Sequence, residues 1–491
     1  YSQVRCWDTL IYNHLKKKHI VIPPREDHDK AAQFEGAYVK DPDLGLHKWI
    51  VSFDLNSLYP HLIMQYNISP ETYVGVETKG MSVENMLNQQ LNLDWAKKKN
   101  VAISANGAMF RRDKQGFLPE LMEKMYGDRV VFKKKSIEAK KEYQKTKDPI
   151  YKNEISRCHN IQMAKKISLN SAYGAIGNQY FRYFDVKQAE AITLGGQLSI
   201  RWVERDVNRF MNKILNTDNV NYVVASDTDS IYLKLDKLVE KVCKDKTPQQ
   251  ITDFINKAAE EKIQKVIDDS FENLAKYVNA YQQKMIMKRE AIANKGIWVA
   301  KKRYMMNVFD EEGVQYDIPK LKIMGVEAVK SSTPEVCRGK IKDAIRVIMN
   351  DSEDALIKFV NDFKEVFKTL SPEEVAFPRS CNNVNRYVDS NSIYKKGTPI
   401  HVKGALIYNH HINKHRLSAK YPIIKDGDKI KFLMLKQPNT VKDTVISFST
   451  KIPYEFDLHK YVDYDTQFEK TFTDPLKFIL DSIGWKLERE A

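Results

Sequence analysis

Two aspartates flank a single threonine in Ser226-Asp227-Thr228-Asp229-Ser230, a polar tip between two runs of strand formers. The runs are Asn221-Tyr222-Val223-Val224-Ala225 and Ile231-Tyr232-Leu233-Lys234-Leu235. Alternation on both sides of a short tip predicts a β-hairpin with both carboxylates at its end. Burying such acids unpaired is costly. A divalent cation, whose charge favours their ionised form, is the usual reason to crowd them. A third acid, Asp54, closes an apolar strand-like run in Ser52-Phe53-Asp54-Leu55-Asn56-Ser57-Leu58-Tyr59-Pro60. Acids from two distant strands can cage metal ions for phosphoryl transfer, because hard cations take oxygen ligands. Taken singly, Asp227 also suits a plain turn, and Asp54 suits the N-cap of a helix beginning near Ser57.

Lys166, Asn170 and Tyr173 recur at i, i+4, i+7 and so share one helix face. Arg129 and Lys133, at i, i+4, share a face of the preceding helix. Four polar groups from two facing helices could cradle one anion, with Lys166 as a point charge for a triphosphate and Tyr173 as a flat surface for a base pair. A solvated face with a stray tyrosine has the same spacing. The run Lys133 to Lys141, Lys133 apart, reads as solvated helix surface. A third basic cluster, Lys301-Lys302-Arg303-Tyr304 with Lys320-Leu321-Lys322 after it, interleaves cations with strand formers and suits a sheet tracking a phosphate backbone.

The elements that must position these residues are legible in outline. Residues 1–25 read as a lead-in helix ending at Pro23-Pro24, and residues 26–118 as short strands and polar loops. From Pro119 a helix runs to a turn at Lys147-Asp148-Pro149, and a second helix returns to Tyr173-Gly174, making an αα-hairpin. Thr247-Pro248-Gln249-Gln250 has capping-box spacing and opens a long helix. A basic, strand-rich segment runs from about Met285 to Val329. Beyond Pro334, Leu356, Phe359, Val360, Phe363, Phe367 and Leu370 form an apolar helical stripe. The last hundred residues read as mixed.

The 491 residues suffice for several domains with a substantial core. The net charge of +15 points to a polyanionic partner, nucleic acid being the commonest. Five scattered cysteines without a CxxC pair argue against a disulfide framework or a zinc site and fit a reducing compartment. No apolar run is long enough to span a membrane and no signal peptide is evident, so no membrane partner is expected.

Together these segments resemble the family B DNA polymerases, most of all their T-even bacteriophage replicative branch. Asp54-Leu55-Asn56-Ser57-Leu58-Tyr59-Pro60 looks like the family's first palm motif, and Lys166-Ile167-Ser168-Leu169-Asn170-Ser171-Ala172-Tyr173-Gly174 like its fingers motif. Asp227-Thr228-Asp229-Ser230 looks like the second palm motif, and Lys301-Lys302-Arg303-Tyr304 like the one that grips the primer. The motifs follow the family's order and spacing, and the resemblance covers nearly the whole chain. The resemblance implies an α+β right-hand polymerase. After a lead-in at 1–25 come an antiparallel-sheet palm (26–118 and 179–334), two-helix fingers (119–178) and a mainly helical thumb (335–491).

It further implies that Asp54, Asp229 and the Leu55 carbonyl hold two Mg²⁺ ions, with Mn²⁺ as a substitute, while Asp227 chiefly supports the hairpin. Arg129, Lys133, Lys166 and Asn170 would bind the incoming dNTP. Tyr59, beside Ser57 and Leu58, would lie under the sugar and exclude a 2′-hydroxyl, and Tyr173 would abut the nascent base pair. Lys301, Lys302, Arg303, Tyr304 and Lys320 or Lys322 would contact primer–template DNA. The expected setting is the cytoplasm, a bacterial host's if the chain is phage-encoded.

Ser226 stands where the family commonly has glycine. The chain begins at Tyr1, and no Asp-x-Glu exonuclease motif appears in a suitable place. The expectation is a polymerase without proofreading, its N-terminal and exonuclease domains removed or carried by a separate subunit. Gly484-Trp485-Lys486-Leu487-Glu488 shows no clear aromatic clamp-binding tail, which leaves a sliding-clamp contact open. Other readings are a catalytically silent nucleic-acid-binding remnant, a subunit of a split polymerase, a nucleotide cyclase or an RNA-making polymerase. The intact acids, the fingers face and Tyr59 argue against the remnant, the cyclase and ribonucleotide use, in that order.

Overall fold

A computed structural model describes residues 2–29 and 33–487; Tyr1 and the tail residue Glu488 lie outside them. The chain forms two compact units. One comprises Tyr1–Asp43, His47–Gly296 and Val308–Lys320, and the other Leu44–Leu46, Ile297–Asn307 and Leu321–Ala491. Helices and antiparallel strands together make an α+β protein. Among the described residues no helix is long and apolar enough to cross a membrane, and all five cysteines are free thiols.

In the first unit α1 (Gln3–Lys17) precedes β1 (Gly45–Leu55), which runs straight into α2 (Leu58–Tyr66). A small sheet follows, with β4 (Ala108–Arg111) between β2 (Tyr73–Val76) and β3 (Val101–Ile103). Next come the long helices α3 (Phe117–Thr146) and α4 (Ile150–Ile176), then α5 (Val186–Leu215). The strands β5 (Val223–Asp227) and β6 (Ser230–Lys234) precede α6 (Pro248–Ala258) and α7 (Gln264–Tyr277). The long strands β7 (Met287–Ala300), β8 (Arg303–Glu311) and β9 (Val314–Met324) supply residues to both units. The main sheet has the order β5-β6-β1-β7-β8-β9.

Local chemistry explains these elements. Lys147 takes a left-handed conformation (φ 57°) to end α3. Asp148 accepts from the Ile150 amide at 2.9 Å to start α4. The expected αα-hairpin is therefore present, α3 beginning two residues before Pro119. Thr247 and Gln250 form the predicted capping box, but a π-helical turn at Ala259–Ile263 interrupts the long helix expected after it.

The first core gathers Phe53, Leu62, Trp202, Ile231 and Phe271 beneath the sheet. Each such side chain contributes about 1.5–3 kcal/mol by leaving water. Trp7 of α1 is buried and donates from Nε1 to Ser171 Oγ of α4 at 2.8 Å, fixing α4 from behind. Two glycines let α5 approach α2. A Cβ on Gly195 would lie 3.3 Å from the Tyr66 ring, and one on Gly196 would lie 3.4 Å from Leu58. Glycine inside a helix costs about 1 kcal/mol relative to alanine; here it sets the depth of the helix that carries Tyr59.

The second unit holds α8 (Glu335–Asn350), α9 (Glu353–Phe367), α10 (Ile400–Lys414) and α11 (Asp474–Ile483). The stripe on α9 packs as expected, Phe363 and Phe367 meeting Phe468 and Phe472 in a ring cluster. The stretch expected to be mainly helical also contains an antiparallel sheet of β10 (Phe377–Cys381), β11 (Asp428–Met434) and β12 (Val445–Phe448). Its strands are short, and β10 pairs across a long excursion with Phe377 opposite Phe432, a pairing that no local pattern announces.

Candidate active site

β1 and β6 pair antiparallel with Asp54 opposite Ser230, so the end of one strand lies beside the tip of the other. The Leu55 amide donates to the Asp229 carbonyl at 2.7 Å, locking that register. The tip itself is tight. Asp227 pairs with Ser230, leaving Thr228 and Asp229 as the turn. Thr228 has φ 58°, and the Asp229 amide reaches back to the Asp227 carbonyl at 2.6 Å. Positive φ in a β-branched residue is strained; the Thr228 amide compensates by donating to the Tyr38 carbonyl at 2.9 Å. Ser226 sits fully buried in β5, opposite Ile231, and lacks positive φ, so the strand does not require the glycine usual there.

Burial pushes the Asp54 carboxyl up, helped by the charges of Asp229 and Glu290, while Lys166 and Lys133 pull it down. Burial likewise raises Asp229, which Lys166 opposes and Asp227 reinforces. Acids held so close to one another, only partly offset by two lysines, gain from a hard divalent cation. Among the described residues no cluster of three or more His, Cys, Asp or Glu side chains is arranged to hold a metal. Two aspartates and a strand-end carbonyl are hard oxygen donors, and a divalent cation held by them would take its remaining ligands from substrate and water.

α3 and α4 line the same cleft of about 340 Å³, which brings Asp54, Leu55, Ser57, Arg129, Lys133, Lys166, Asn170, Asp229 and Lys320 together. Arg129 is buried and donates from Nη1 to Ser57 Oγ at 2.5 Å, so it braces the start of α2 as well as facing the cleft. Ser57 holds left-handed backbone (φ 42°), and its carbonyl accepts from His61 Nδ1 at 2.9 Å. Lys133 pairs with Glu312 at 2.5 Å. Tyr59 and Tyr173 meet with ring centroids 4.7 Å apart. Burial, the neighbouring Tyr173 and the Asp229 charge push the Tyr59 hydroxyl up to about 12, so it is a neutral wall of the site. Leu58, its neighbour in α2, is buried.

The basic cluster is divided between the two units. Lys301-Lys302-Arg303-Tyr304 and Lys322 belong to the second unit, whereas Lys320 belongs to the first. Lys301 and Lys302 are exposed, but Tyr304 is buried and stacks on Trp298 with centroids 5.3 Å apart. Arg303 bonds Glu327 at 2.8 Å and lies over the Phe478 ring. Lys320 is paired with Glu311.

Several lining residues escaped the sequence reading. Gln162 extends the Lys166–Asn170 ladder one turn back and contacts Arg129 at 3.4 Å; its spacing was the available signal. Glu290 and Glu312 arrive from β7 and the β8–β9 turn, and only the fold brings them in.

A pair of half-buried acids, Asp54 near the end of β1 and Asp229 in the β5–β6 turn, thus shares one cleft on an antiparallel sheet with cationic groups from two helices. The chain belongs to DNA polymerase family B, whose family model matches residues 1–483. It is 32% identical over 546 residues to the DNA-directed DNA polymerase of Enterobacteria phage T4, covering 100% of this chain and 60% of that relative. The DNA-directed DNA polymerase of Escherichia phage RB69 is also 32% identical, with the same coverage. DNA polymerase 1 of Pyrococcus abyssi is 28% identical over 459 residues, 93% of this chain and 48% of that protein. The chain thus spans well under two thirds of the length of the curated relatives it matches.

Proposed function

We propose that this chain is the core of a DNA-templated DNA polymerase that transfers a nucleotidyl group from a dNTP to a primer 3′-hydroxyl. The observation that carries the reading is the meeting of Asp54 and Asp229 beneath Lys166 and Lys133 in one cleft. Residues 26–118 and 179–334 would form the palm, 119–178 the fingers and 335–491 the thumb. Asp54, Asp229 and the Leu55 carbonyl would hold Mg²⁺ or Mn²⁺, which when bound would supply activation of the hydroxyl and charge neutralisation at the leaving pyrophosphate. The primer oxygen bonds to the α-phosphorus as the α–β bridging P–O bond breaks, and the hydroxyl proton passes to solvent.

The chain's own groups orient that exchange. Lys166 and Lys133 hold phosphate oxygens by charge, and Asn170 by hydrogen bonding. Arg129 fixes Ser57, which sets the entry of α2 and hence the place of Tyr59. The Tyr59 ring, braced by Tyr173, occupies the room a 2′-hydroxyl would need. Asp227 supports the strained tip. Lys301 and Lys302 approach the DNA backbone; Arg303 and Tyr304, engaged with Glu327 and Trp298, position that turn. The charge of +15 suits primer–template DNA as partner.

The test is extension of a labelled primer on a template with Mg²⁺, run with deoxy- and with ribonucleotides. Extension with dNTPs, poor use of ribonucleotides and no excision of a mismatched 3′ end are expected. A folded protein that binds DNA without extending it would favour the silent remnant, and equal use of both sugars would remove Tyr59 from its role.

A further inference from the structure

The β8–β9 turn ends in Glu311-Glu312-Gly313, and both central positions are left-handed, Glu312 at φ 51° and Gly313 at φ 81°. Such two-residue turns favour Asn-Gly or Asp-Gly, because short polar side chains tolerate that backbone. A long acid at the first position is conformationally unfavourable, which directs attention to what its carboxylate does. Glu312 reaches Lys133 of α3, Oε1 to Nζ 2.5 Å, with the two side chains 32% and 33% exposed.

The turn is firmly held. The Glu312 amide donates to the Glu290 carbonyl at 2.6 Å, and the Gly313 amide to Asp310 Oδ1 at 2.9 Å. Asp310 in turn pairs with Arg289 in a buried contact. Glu312 therefore stands at a fixed place beside the cleft that Lys166, Asn170 and Asp229 also line.

We propose that Glu312 is an internal stand-in for phosphate: it holds Lys133 as counter-ion when no nucleotide is present, and an incoming triphosphate must displace it. The inference deepens the polymerase reading of this cleft and rests on it. An ion pair with about a third of each side chain exposed is weak enough to exchange for a multiply charged phosphate chain, which offers Lys133 more negative charge than one carboxylate does. Glu312 is thus a positioning residue. It keeps Lys133 oriented while lowering nucleotide affinity, so the site discriminates against weakly charged anions.

The full chain is compared with Glu312→Gln and Glu312→Asn, the latter keeping a residue suited to the left-handed turn. Both substitutions should lower the apparent KM for dNTP roughly two- to five-fold, the effect being confined to KM. They should tighten binding of inorganic tripolyphosphate by a similar factor. Both gains should vanish in a Lys133→Ala background, since the two residues act as one pair. Extension with an unmoved or raised KM in both variants overturns the role of Glu312 and leaves the polymerase reading standing. Absence of extension with tightened tripolyphosphate binding does the reverse.

Discussion

Asp229→Asn is expected to abolish primer extension while primer–template affinity, measured by fluorescence anisotropy, stays within about two-fold, because the carboxylate serves bond making rather than DNA contact. Loss of DNA binding would instead make Asp229 a structural part of the strained Thr228 tip. His61 gives a second test at this scale. It is buried beneath Tyr126, edge-on at 4.3 Å. Burial, with the positive charges of Lys284 and Arg129, lowers it to about 4, against the hydrogen bond to the Ser57 carbonyl. A histidine depressed in the folded state binds fewer protons there than in the unfolded chain between its two pKa values. Its stabilising contribution is whole above about pH 6.5 and is lost as pH falls towards about 4. The loss is on the order of 3 kcal/mol. His61→Asn should therefore show a smaller fall in Tm between pH 7 and pH 4.5 than the parent protein; equal falls would refute the assignment.

At the scale of elements, close approach decides more than hydrophobicity does. Gly404 in α10 packs against β12, where an added Cβ would lie 2.8 Å from the Ser447 amide nitrogen and 2.4 Å from its hydroxyl. Alanine would gain up to about 1 kcal/mol in helix propensity. Displacing β12 from β11 costs about 1–3 kcal/mol, and the Ser447 hydroxyl already bonds the His401 carbonyl at 2.7 Å. The clash should win. Gly404→Ala is expected to lower the thermal midpoint of the second unit, while Gly339→Ala in α8, where a Cβ meets nothing within 4 Å, should not. The same logic explains α5. Its two glycines carry no chemistry, yet they let α2, and with it Tyr59, settle against α5.

For the whole molecule the relevant quantity is charge. A net +15 on 491 residues makes binding to a polyanion salt-dependent. Removing a cation that neutralises one phosphate should reduce the slope of log affinity against log salt by about 1. Lys301→Ala and Lys302→Ala, at exposed positions, should each do so when primer–template binding is titrated from low to moderate salt. Unchanged slopes in both would move the DNA contact away from this turn. Arg303→Ala belongs to a different class of effect, since that guanidinium pairs with Glu327 and covers Phe478; its loss should register as lower stability of the second unit.

Short-range order was legible in the chain alone. The Asp227–Asp229 tip, the Lys166–Asn170–Tyr173 face, the capping box at Thr247 and the stripe on α9 are set by residues a few positions apart, where alternation and helical period act directly. The antiparallel sheet of β10–β12 was not, because β10 pairs with a distant strand, and the π-helical turn at Ala259–Ile263 lies within a run whose apolar spacing reads as one continuous helix. Nor does any spacing in the sequence say that Asp54 lies opposite Ser230, that Arg129 holds Ser57, or that Glu312 reaches Lys133. Those meetings join segments far apart in the chain, and they form only once burial of the common core has offset the entropy of closing such long loops. The sequence by itself determined which chemical groups were on offer; the tertiary fold decided which of them share one cleft.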